Sequence, residues 1–330
     1  MVDTHPAPKT ATFMPHSSAP DRSLRLGTRA SPLAIAQAHE VRARLCAAHG
    51  WDEDAITIVP VTASADRIKG PLADVGGKAL WTKELDGWLH EHEIDFAVHS
   101  LKDVETIRPD ALAMAAILPR EDVRDCLVGA ASVEALPQGA RLGTCAPRRA
   151  AQMLHLRPDL QIVPFRGNVA TRLGKLEAGE ADATLLAMAG LNRLGHENVG
   201  TPLDEAAFLP ASGQGAIAVE CRSDDAATIA LLAAIDHAPS RHAVLAERAL
   251  LAALGGTCHS ALAVLTRSEA GLEGEQIHLS AALFSPDGAQ RVAGETRFTP
   301  GDHAPVTALA RDLLERSPST ITDHFSGPGS

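Results

Sequence analysis

Residues 24–48 read LRLGTRASPLAIAQAHEVRARLCAA, a short apolar run followed by a helical pattern. Leu24–Thr28 is predicted to be a strand. Ser31 and Pro32 suit the start of a helix, because Ser caps free backbone N–H groups and Pro lacks one. Apolar residues then recur every three or four positions, at 34, 38, 41, 45 and 48. This spacing places them on one helical face, so the stretch predicts a strand–helix unit.

The unit recurs along the chain. Further strands are predicted at Ile56–Val61, Phe96–His99, Arg141–Thr144, Gln161–Phe165, Ala183–Ala187 and Ala216–Cys221. Their alternation with helices predicts parallel sheets with helices on both faces. The last part of the chain differs, with a helix at Ser240–Leu254, a loop at 255–258, strands near 260–266, 276–284 and 290–298, and a helix from Asp302. It predicts a small separate α+β domain.

Composition restricts the class of protein. The chain has 330 residues, 45% of them hydrophobic, and a net charge of −11, which argues against a general nucleic-acid or membrane-surface binder. Five scattered cysteines without a CxxC pair indicate neither a disulfide framework nor a zinc site. No apolar run reaches the ~18 residues that a membrane span needs. Residues 1–21 lack an apolar signal core and are interpreted as a disordered extension, so a cytoplasmic location is expected.

Basic residues cluster at predicted helix starts. Arg29 precedes one start, Arg148 and Arg149 follow Pro147 at a second, and Arg166 and Arg172 bracket a third. Free backbone N–H groups at helix N-termini attract anions, and in open α/β sheets these turns gather where ligands bind. The pattern predicts an anion-binding cleft rather than a solvated basic surface.

Two further residues are candidates for chemistry. Lys102 and Asp103 directly follow an apolar strand, although an Asp in that place is more often a helix cap or salt-bridge partner. Cys258 follows Gly255 and Gly256 in a loop, although most cysteines are small core residues. The residues alone therefore indicate a polyanion-binding α/β protein and leave its reaction open.

Seven segments stand in the same order as in the porphobilinogen deaminase (hydroxymethylbilane synthase) family, which the chain resembles from Leu24 to the C-terminal helix. They are GTRASPLA from Gly27, VGGKALWTKE from Val75, AVHSLKDV from Ala97, RGNVATR from Arg166, AGLNRLG from Ala189, SGQGA from Ser212 and GGTC from Gly255. Some positions depart from the family pattern, namely Cys145 and Ala146 in place of a Ser pair, Glu105 in place of Pro, the loop 62–66 and residues 259–261.

The resemblance implies two doubly wound α/β domains of the type II periplasmic-binding-protein kind and a small C-terminal α+β domain. Their expected bounds are 22–118 with 216–236, 119–215, and 237–330. The implied enzyme is a transferase of tetrapyrrole (haem) biosynthesis that joins four porphobilinogen molecules with loss of ammonia and releases linear hydroxymethylbilane. The implied primer is a dipyrromethane cofactor, bound covalently through a thioether to Cys258. The implied state is a cytoplasmic monomer without nucleic-acid or membrane partners.

The family's site residues map onto this chain by position. Asp103 and Lys102 are expected to be catalytic. Cofactor contacts are expected from Cys258, Arg148, Arg149, Arg172, Ser100, Lys78, Thr144 and Gly190. Substrate contacts are expected from Arg29, Ser31, Arg166, Arg193, Gln214 and Trp81, the last with core packing as an equal alternative. Cys46, Cys126, Cys145 and Cys221 are interpreted as packing residues.

Two other functions remain open at this point. A non-catalytic anion-binding module would share the first two domains, but it would not explain the third domain with its cysteine loop. A cysteine-dependent hydrolase would need a Cys–His–Asp/Asn set, and His259 beside Cys258 does not by itself supply that geometry. Release of ammonia from porphobilinogen distinguishes the enzyme from both.

Overall fold

The computed structural model describes residues 20, 22–61, 79–257, 259–271 and 274–327, with side chains for all of these except 79–81, 270–271 and 274–275. The expected N-terminal extension, apart from Pro20, lies outside the described residues. Lys78, Cys258 and the side chain of Trp81 also lie outside them.

Three sheets and their helices make up the described chain. The strands are β1 (Leu24–Arg29), β2 (Ile56–Val61), β3 (Phe96–Ser100), β4 (Leu112–Ile117), β5 (Asp125–Val128), β6 (Arg141–Gly143), β7 (Gln161–Val163), β8 (Ala183–Ala187), β9 (Thr201–Pro202), β10 (Ile217–Arg222), β11 (Leu262–Gly271), β12 (Gly274–Phe284) and β13 (Arg291–Phe298). The helices are α1 (Pro32–His49), α2 (Ala79–His90), α3 (Pro147–Leu156), α4 (Val169–Glu177), α5 (Met188–Arg193), α6 (Ala226–Leu232), α7 (Ala238–Ala253), α8 (Ala304–Arg316) and α9 (Ser319–Thr322). Short 3-10 turns lie at Glu53–Ala55, Leu101–Asp103 and Ala233–Ile235.

The first sheet has the strand order β2-β1-β3-β10-β4. β1 is parallel to β2 and β3, whereas β10 is antiparallel to β3 and β4. The expectation of a wholly parallel sheet is therefore wrong. Parallel neighbours need a crossover connection, usually a helix, but the chain enters β10 directly from the second sheet, so nothing forces it to run with its neighbours.

The second sheet repeats this order as β7-β6-β8-β5-β9. β6 is parallel to β7 and β8, and β5 is antiparallel to β8 and β9. β5 is reached directly from β4, so each sheet receives its antiparallel strand where the chain crosses from the other sheet. Each of these two sheets, with its helices, forms a doubly wound α/β unit with one antiparallel strand, and two such units are what the family resemblance implies.

The third sheet is the antiparallel meander β11-β12-β13. α7 and α8 pack against it around a core that includes Leu250, Leu279 and Leu309. The predicted C-terminal α+β unit is confirmed. Its β12–β13 turn contacts the end of α3, where His155 Nδ1 lies 2.9 Å from the Gly288 carbonyl oxygen.

The predicted helix starts are confirmed by their caps. Ser31 Oγ accepts a hydrogen bond from the Ala34 N–H at 3.4 Å, and Asn168 Oδ1 accepts one from the Thr171 N–H at 2.9 Å. Pro147 is the first residue of α3. Arg29 precedes α1, Arg148 and Arg149 lie in the first turn of α3, and Arg166 and Arg172 lie on either side of the start of α4, as the sequence predicts.

Within the described ranges, no helix is both long enough and apolar enough to cross a membrane.

Candidate active site

A cleft opens where β1 and β3 end. Arg29 is the last residue of β1, Ser100 is the last residue of β3, and the half-buried Asp103 lies in the 3-10 turn that follows. These three side chains line the cleft together with Ser31 from the start of α1. The structure therefore brings four predicted site residues to the edge where ligands bind in α/β sheets.

Gln37 is a cleft residue that the sequence interpretation missed. It lies on the buried face of α1, is 3% exposed, and lines the cleft. Its Nε2 donates a hydrogen bond to Ser100 Oγ at 2.8 Å, and Ser100 Oγ lies 3.1 Å from its Oε1. The available signal was a polar residue inside the apolar stripe between Ala34 and Val41, because a buried amide needs a polar partner.

Arg148 and Arg149 occupy the first turn of α3 and are 5% and 6% exposed. Both donate to the carboxylate of Asp125, at the start of β5. Arg148 Nη1 is 2.7 Å from Oδ2, and Arg149 Nη2 is 2.6 Å from Oδ1. A carboxylate between two guanidinium groups offsets their repulsion and the cost of burying them.

Lys102 and Arg172 extend this group of cations toward Asp103. Burial and then repulsion from Arg149 lower the pKa of the Lys102 ammonium to about 8, while the charges of Asp103 and Asp125 oppose the shift. Burial and then Arg149 also lower the pKa of Arg172 to about 10. We call Lys102, Arg148, Arg149 and Arg172 the cation cluster. Arg149 acts on the charge of both Lys102 and Arg172, and Asp103 also acts on both, so these predicted cations lie near one another.

Three other predicted site residues are not among those that line this cleft. Thr144 is buried at the end of β6, and its Oγ1 accepts a hydrogen bond from the Ala146 N–H at 3.1 Å. Gly190 lies buried in α5, where an added Cβ would be 3.5 Å from Leu33 Cδ2. Arg166 is exposed after β7. Two of the three thus lie inside the protein, and one faces solvent.

Arg193 and Gln214 are engaged by the protein itself. Arg193 Nε donates to Glu40 Oε2 at 3.1 Å, which joins α5 to α1 across the two α/β domains. Gln214 is fully buried, and its Nε2 donates to the Val123 carbonyl oxygen at 2.7 Å. Neither of these contacts is the direct substrate contact that the sequence interpretation assigned to the two residues.

A buried charge network lies behind the cleft wall. His99 lines the cleft, and its Nε2 is 3.2 Å from the buried Glu220 Oε2. Arg108 donates to Glu220 at 2.9 Å and to Asp86 at 2.6 Å. Burial alone raises the pKa of Glu220, but its bonds to His99 and Arg108 outweigh burial and lower the pKa to about 2. The network joins β3 to β10 through His99, the residue before Ser100.

The cysteines depart from expectation at one position. Cys46, Cys126 and Cys221 are buried, as predicted, and burial raises the pKa of the Cys126 and Cys221 thiols to about 11. Cys145 is exposed, so its interpretation as a packing residue is wrong. It lies in the turn between β6 and α3, where residues follow the strand out of the core.

The loop before Cys258 is held from two sides. Thr106, three residues after Asp103, donates through Oγ1 to the Gly256 carbonyl oxygen at 3.3 Å. The Thr257 N–H donates to Ser260 Oγ at 3.0 Å. Gly256 is therefore hydrogen-bonded to the segment that follows Asp103, and the Thr257–Ser260 bond spans position 258, although Cys258 itself lies outside the described residues.

Comparison with known proteins covers nearly the whole chain. Residues 24–230 match the family model "Porphobilinogen deaminase, dipyromethane cofactor binding domain", and residues 242–310 match "Porphobilinogen deaminase, C-terminal domain". The "Porphobilinogen deaminase" of Sphingopyxis alaskensis is 56% identical over 93% of this chain and 98% of that protein. The protein of the same name from Paracoccus denitrificans is 48% identical over 92% of this chain and 97% of that protein.

A solved periplasmic VFT2 domain of Bordetella pertussis BvgS aligns with a TM-score of 0.37 and 17% identity, over 65% of this chain and 86% of that chain. The two family models and the two relatives agree over both α/β domains and the C-terminal domain. The chain belongs to the porphobilinogen deaminase family.

Proposed function

We propose that this protein is a porphobilinogen deaminase, an enzyme of tetrapyrrole synthesis that condenses four porphobilinogen molecules and releases linear hydroxymethylbilane and ammonia. The observation that carries the proposal is the cleft that Arg29, Ser31 and Asp103 line, in a chain that matches the models of this family over residues 24–230 and 242–310. The class of transferase follows from the condensation itself.

The cation cluster suits the charge of the substrate. Porphobilinogen carries an acetate and a propionate, so a growing chain gains two carboxylates with each unit. Guanidinium groups bind carboxylates through paired hydrogen bonds, and each bond to a charged group contributes ~1.5–3 kcal/mol. Arg29 at the cleft wall and Arg172 beside Asp103 are proposed to hold these groups, with Ser31 contributing a hydroxyl.

Asp103 is proposed to act on the reacting nitrogen atoms. Loss of ammonia leaves a cationic pyrrole, and a carboxylate in the cleft stabilises positive charge that develops there. The same carboxyl group can protonate the departing amine. Lys102, the residue before Asp103, is proposed to bind substrate carboxylates and so keep them away from Asp103.

The residues beside Asp103 also fit the dipyrromethane cofactor, which carries carboxylates of its own. The cation cluster supplies four cations, whereas the carboxylates that act on it are those of Asp103 and Asp125. Arg148 and Arg172 would hold the cofactor's carboxylates, and Arg149, whose nitrogen atoms bind Asp125 and Leu185, would add positive charge beside them. When bound, the dipyrromethane supplies the pyrrole end to which the first substrate unit is joined.

Several features of this proposal rest on family position. Cys258 is proposed to carry the cofactor, Lys78 to contribute from its Gly-rich loop, and Trp81 to stack on a pyrrole. The proposed domains are 22–118 with 216–236, 119–215 and 237–330, with the chain crossing between the first two near 118 and 216. A cytoplasmic monomer remains the expectation from sequence.

Incubation with porphobilinogen tests the function. We expect stoichiometric release of ammonia, one molecule per porphobilinogen consumed, and a linear bilane that cyclises with loss of water to uroporphyrinogen, which air then oxidises to uroporphyrin. A non-catalytic anion-binding protein would bind porphobilinogen without releasing ammonia, and that outcome would contradict the proposal.

Lys102 gives the reaction a specific pH dependence. Because the pKa of Lys102 is about 8, its positive charge is present below that pH and is lost as pH rises through it. One pH unit above the pKa only about a tenth of the molecules keep the charge. Loss of one hydrogen bond to a charged group weakens binding by about tenfold or more. We therefore expect the KM for porphobilinogen to rise about tenfold between pH 7 and pH 9.

The Lys102→Arg variant is the control, because a guanidinium group stays protonated over this range. Its KM is expected to stay level between pH 7 and pH 9. The same rise in both proteins would show that another group causes it.

A further inference from the structure

Asp125 is a buried acid that the reaction proposed above does not use. It is the first residue of β5 and is 0% exposed. Four hydrogen bonds end on its carboxylate, from Arg148 Nη1 at 2.7 Å, Arg149 Nε at 3.0 Å, Arg149 Nη2 at 2.6 Å and Gln214 Nε2 at 3.2 Å. Burial raises the pKa of this carboxyl, but the charges of Arg148 and Arg149 outweigh it and hold the pKa well below its usual range.

The donors come from different parts of the fold. Arg148 and Arg149 lie on α3, and Gln214 lies in the segment that returns to the first domain. Carbonyl oxygens hold the guanidinium groups from other sides, with Arg148 Nη1 2.8 Å from Leu209 O and Arg149 Nη1 2.8 Å from Leu185 O. Arg149 therefore uses all three of its nitrogen atoms within the protein.

Arg148 differs from Arg149 in this respect. Its hydrogen bonds to described residues use Nη1 alone, and its guanidinium carbon lies 5.7 Å from the centre of the Phe208 ring. The bond from Asp125 fixes the orientation of the group while it leaves Nε and Nη2 without a partner among the described residues. A fixed guanidinium group with two such nitrogen atoms matches the paired geometry by which Arg binds a carboxylate.

We infer that Asp125 is a positioning residue for the cofactor. It holds Arg148 and Arg149 in a fixed orientation and keeps the cation cluster charged before the cofactor's carboxylates bind. This rests on the proposed function. Without Asp125, two buried guanidinium groups would face Lys102 with no anion between them, and buried like charges must move apart or lose protons. Asp125 acts through the arginines and Lys102 and does not itself touch the reacting atoms.

The test compares Asp125→Asn with Asp95→Asn. Asp95 is a matched control, because it is 2% exposed and binds Arg22 and Arg25, with Arg22 Nη2 at 2.6 Å. It lies just before β3, at the end of the strand away from the cleft. Both variants lose a buried carboxylate that binds two arginines, although Arg22 and Arg25 are more exposed than Arg148 and Arg149, so both should lower the thermal midpoint of unfolding.

Only Asp125→Asn should lower the fraction of molecules that carry the cofactor. We expect intact mass spectrometry to find the adduct on fewer than about a tenth of Asp125→Asn molecules, against nearly all of the wild-type and Asp95→Asn molecules. In the fraction that is loaded, the rise of KM with pH should shift down by about one pH unit, because the Asp125 charge no longer supports protonated Lys102. A loss of stability alone would not move that midpoint.

The Gln214→Leu variant tests the role of Asp125 if Asp125→Asn does not fold. It removes one of the four hydrogen bonds to Asp125 and keeps every charge, so we expect partial loading and an unchanged pH midpoint. Full loading of Asp125→Asn with an unchanged midpoint, or full loading of Gln214→Leu, would overturn the inference. If wild type itself carried no adduct, the proposed function would fail instead.

Discussion

The Asp103→Ala variant is expected to show no measurable turnover of porphobilinogen. Asp103 is the carboxylate in the cleft at the end of β3, beside Lys102 and Arg172. General acid–base action contributes ~10²–10⁴-fold and stabilisation of developing charge ~10²–10³-fold. Loss of both therefore predicts a fall in kcat of at least ~10⁴-fold, measured as ammonia released per minute.

Two further variants make the result specific. Asp103→Glu keeps the carboxylate one methylene away and should retain a little activity. Asp110→Ala removes an exposed acid from the same domain and should change kcat by no more than about twofold, as surface substitutions usually do. A near-wild-type rate in Asp103→Ala would refute the role of this residue.

The Cys258→Ser variant is expected to be both inactive and lighter than the wild-type protein. The wild-type protein should exceed the 34.6 kDa of its chain by one dipyrromethane, and a hydroxyl is too weak a nucleophile to form the same link at neutral pH. Intact mass spectrometry of the two purified proteins measures the difference.

Cys145→Ser is the control for this experiment, because Cys145 is the exposed thiol in the turn before α3. It should keep the adduct. Equal masses of wild type and Cys258→Ser, after allowance for the substitution, would remove Cys258 from the site.

Local patterns in the sequence predicted much of the fold. Ser31, Pro147 and Asn168 act over one helical turn, so the starts of α1, α3 and α4 could be inferred from neighbouring residues alone. The antiparallel strands could not. The positions of β5 and β10 in their sheets depend on where the chain crosses between the sheets. β4 and β5 were not predicted at all. Pairing partners far along the chain leave no local signal in the sequence.

The site was predicted as a set of residues, but its internal bonding was not. Arg148 and Arg149 could be assigned to an anion site from their helix start, yet their shared partner, Asp125, lies 23 residues before Arg148. Glu220 meets His99 only because β10 pairs with β3 across more than a hundred residues. Such contacts depend on the completed fold, which periodicity and capping rules do not describe.

One measurement tests the central claim, that a single cleft adds pyrrole units to a chain that stays attached to the protein. The holoprotein is mixed with a small molar excess of porphobilinogen, and its intact mass is recorded at short times. We predict a series of peaks above the resting mass, each heavier than the last by one porphobilinogen less one ammonia, with return to the resting mass after four additions. A protein whose mass never rises above the resting value while porphobilinogen is present would contradict the claim.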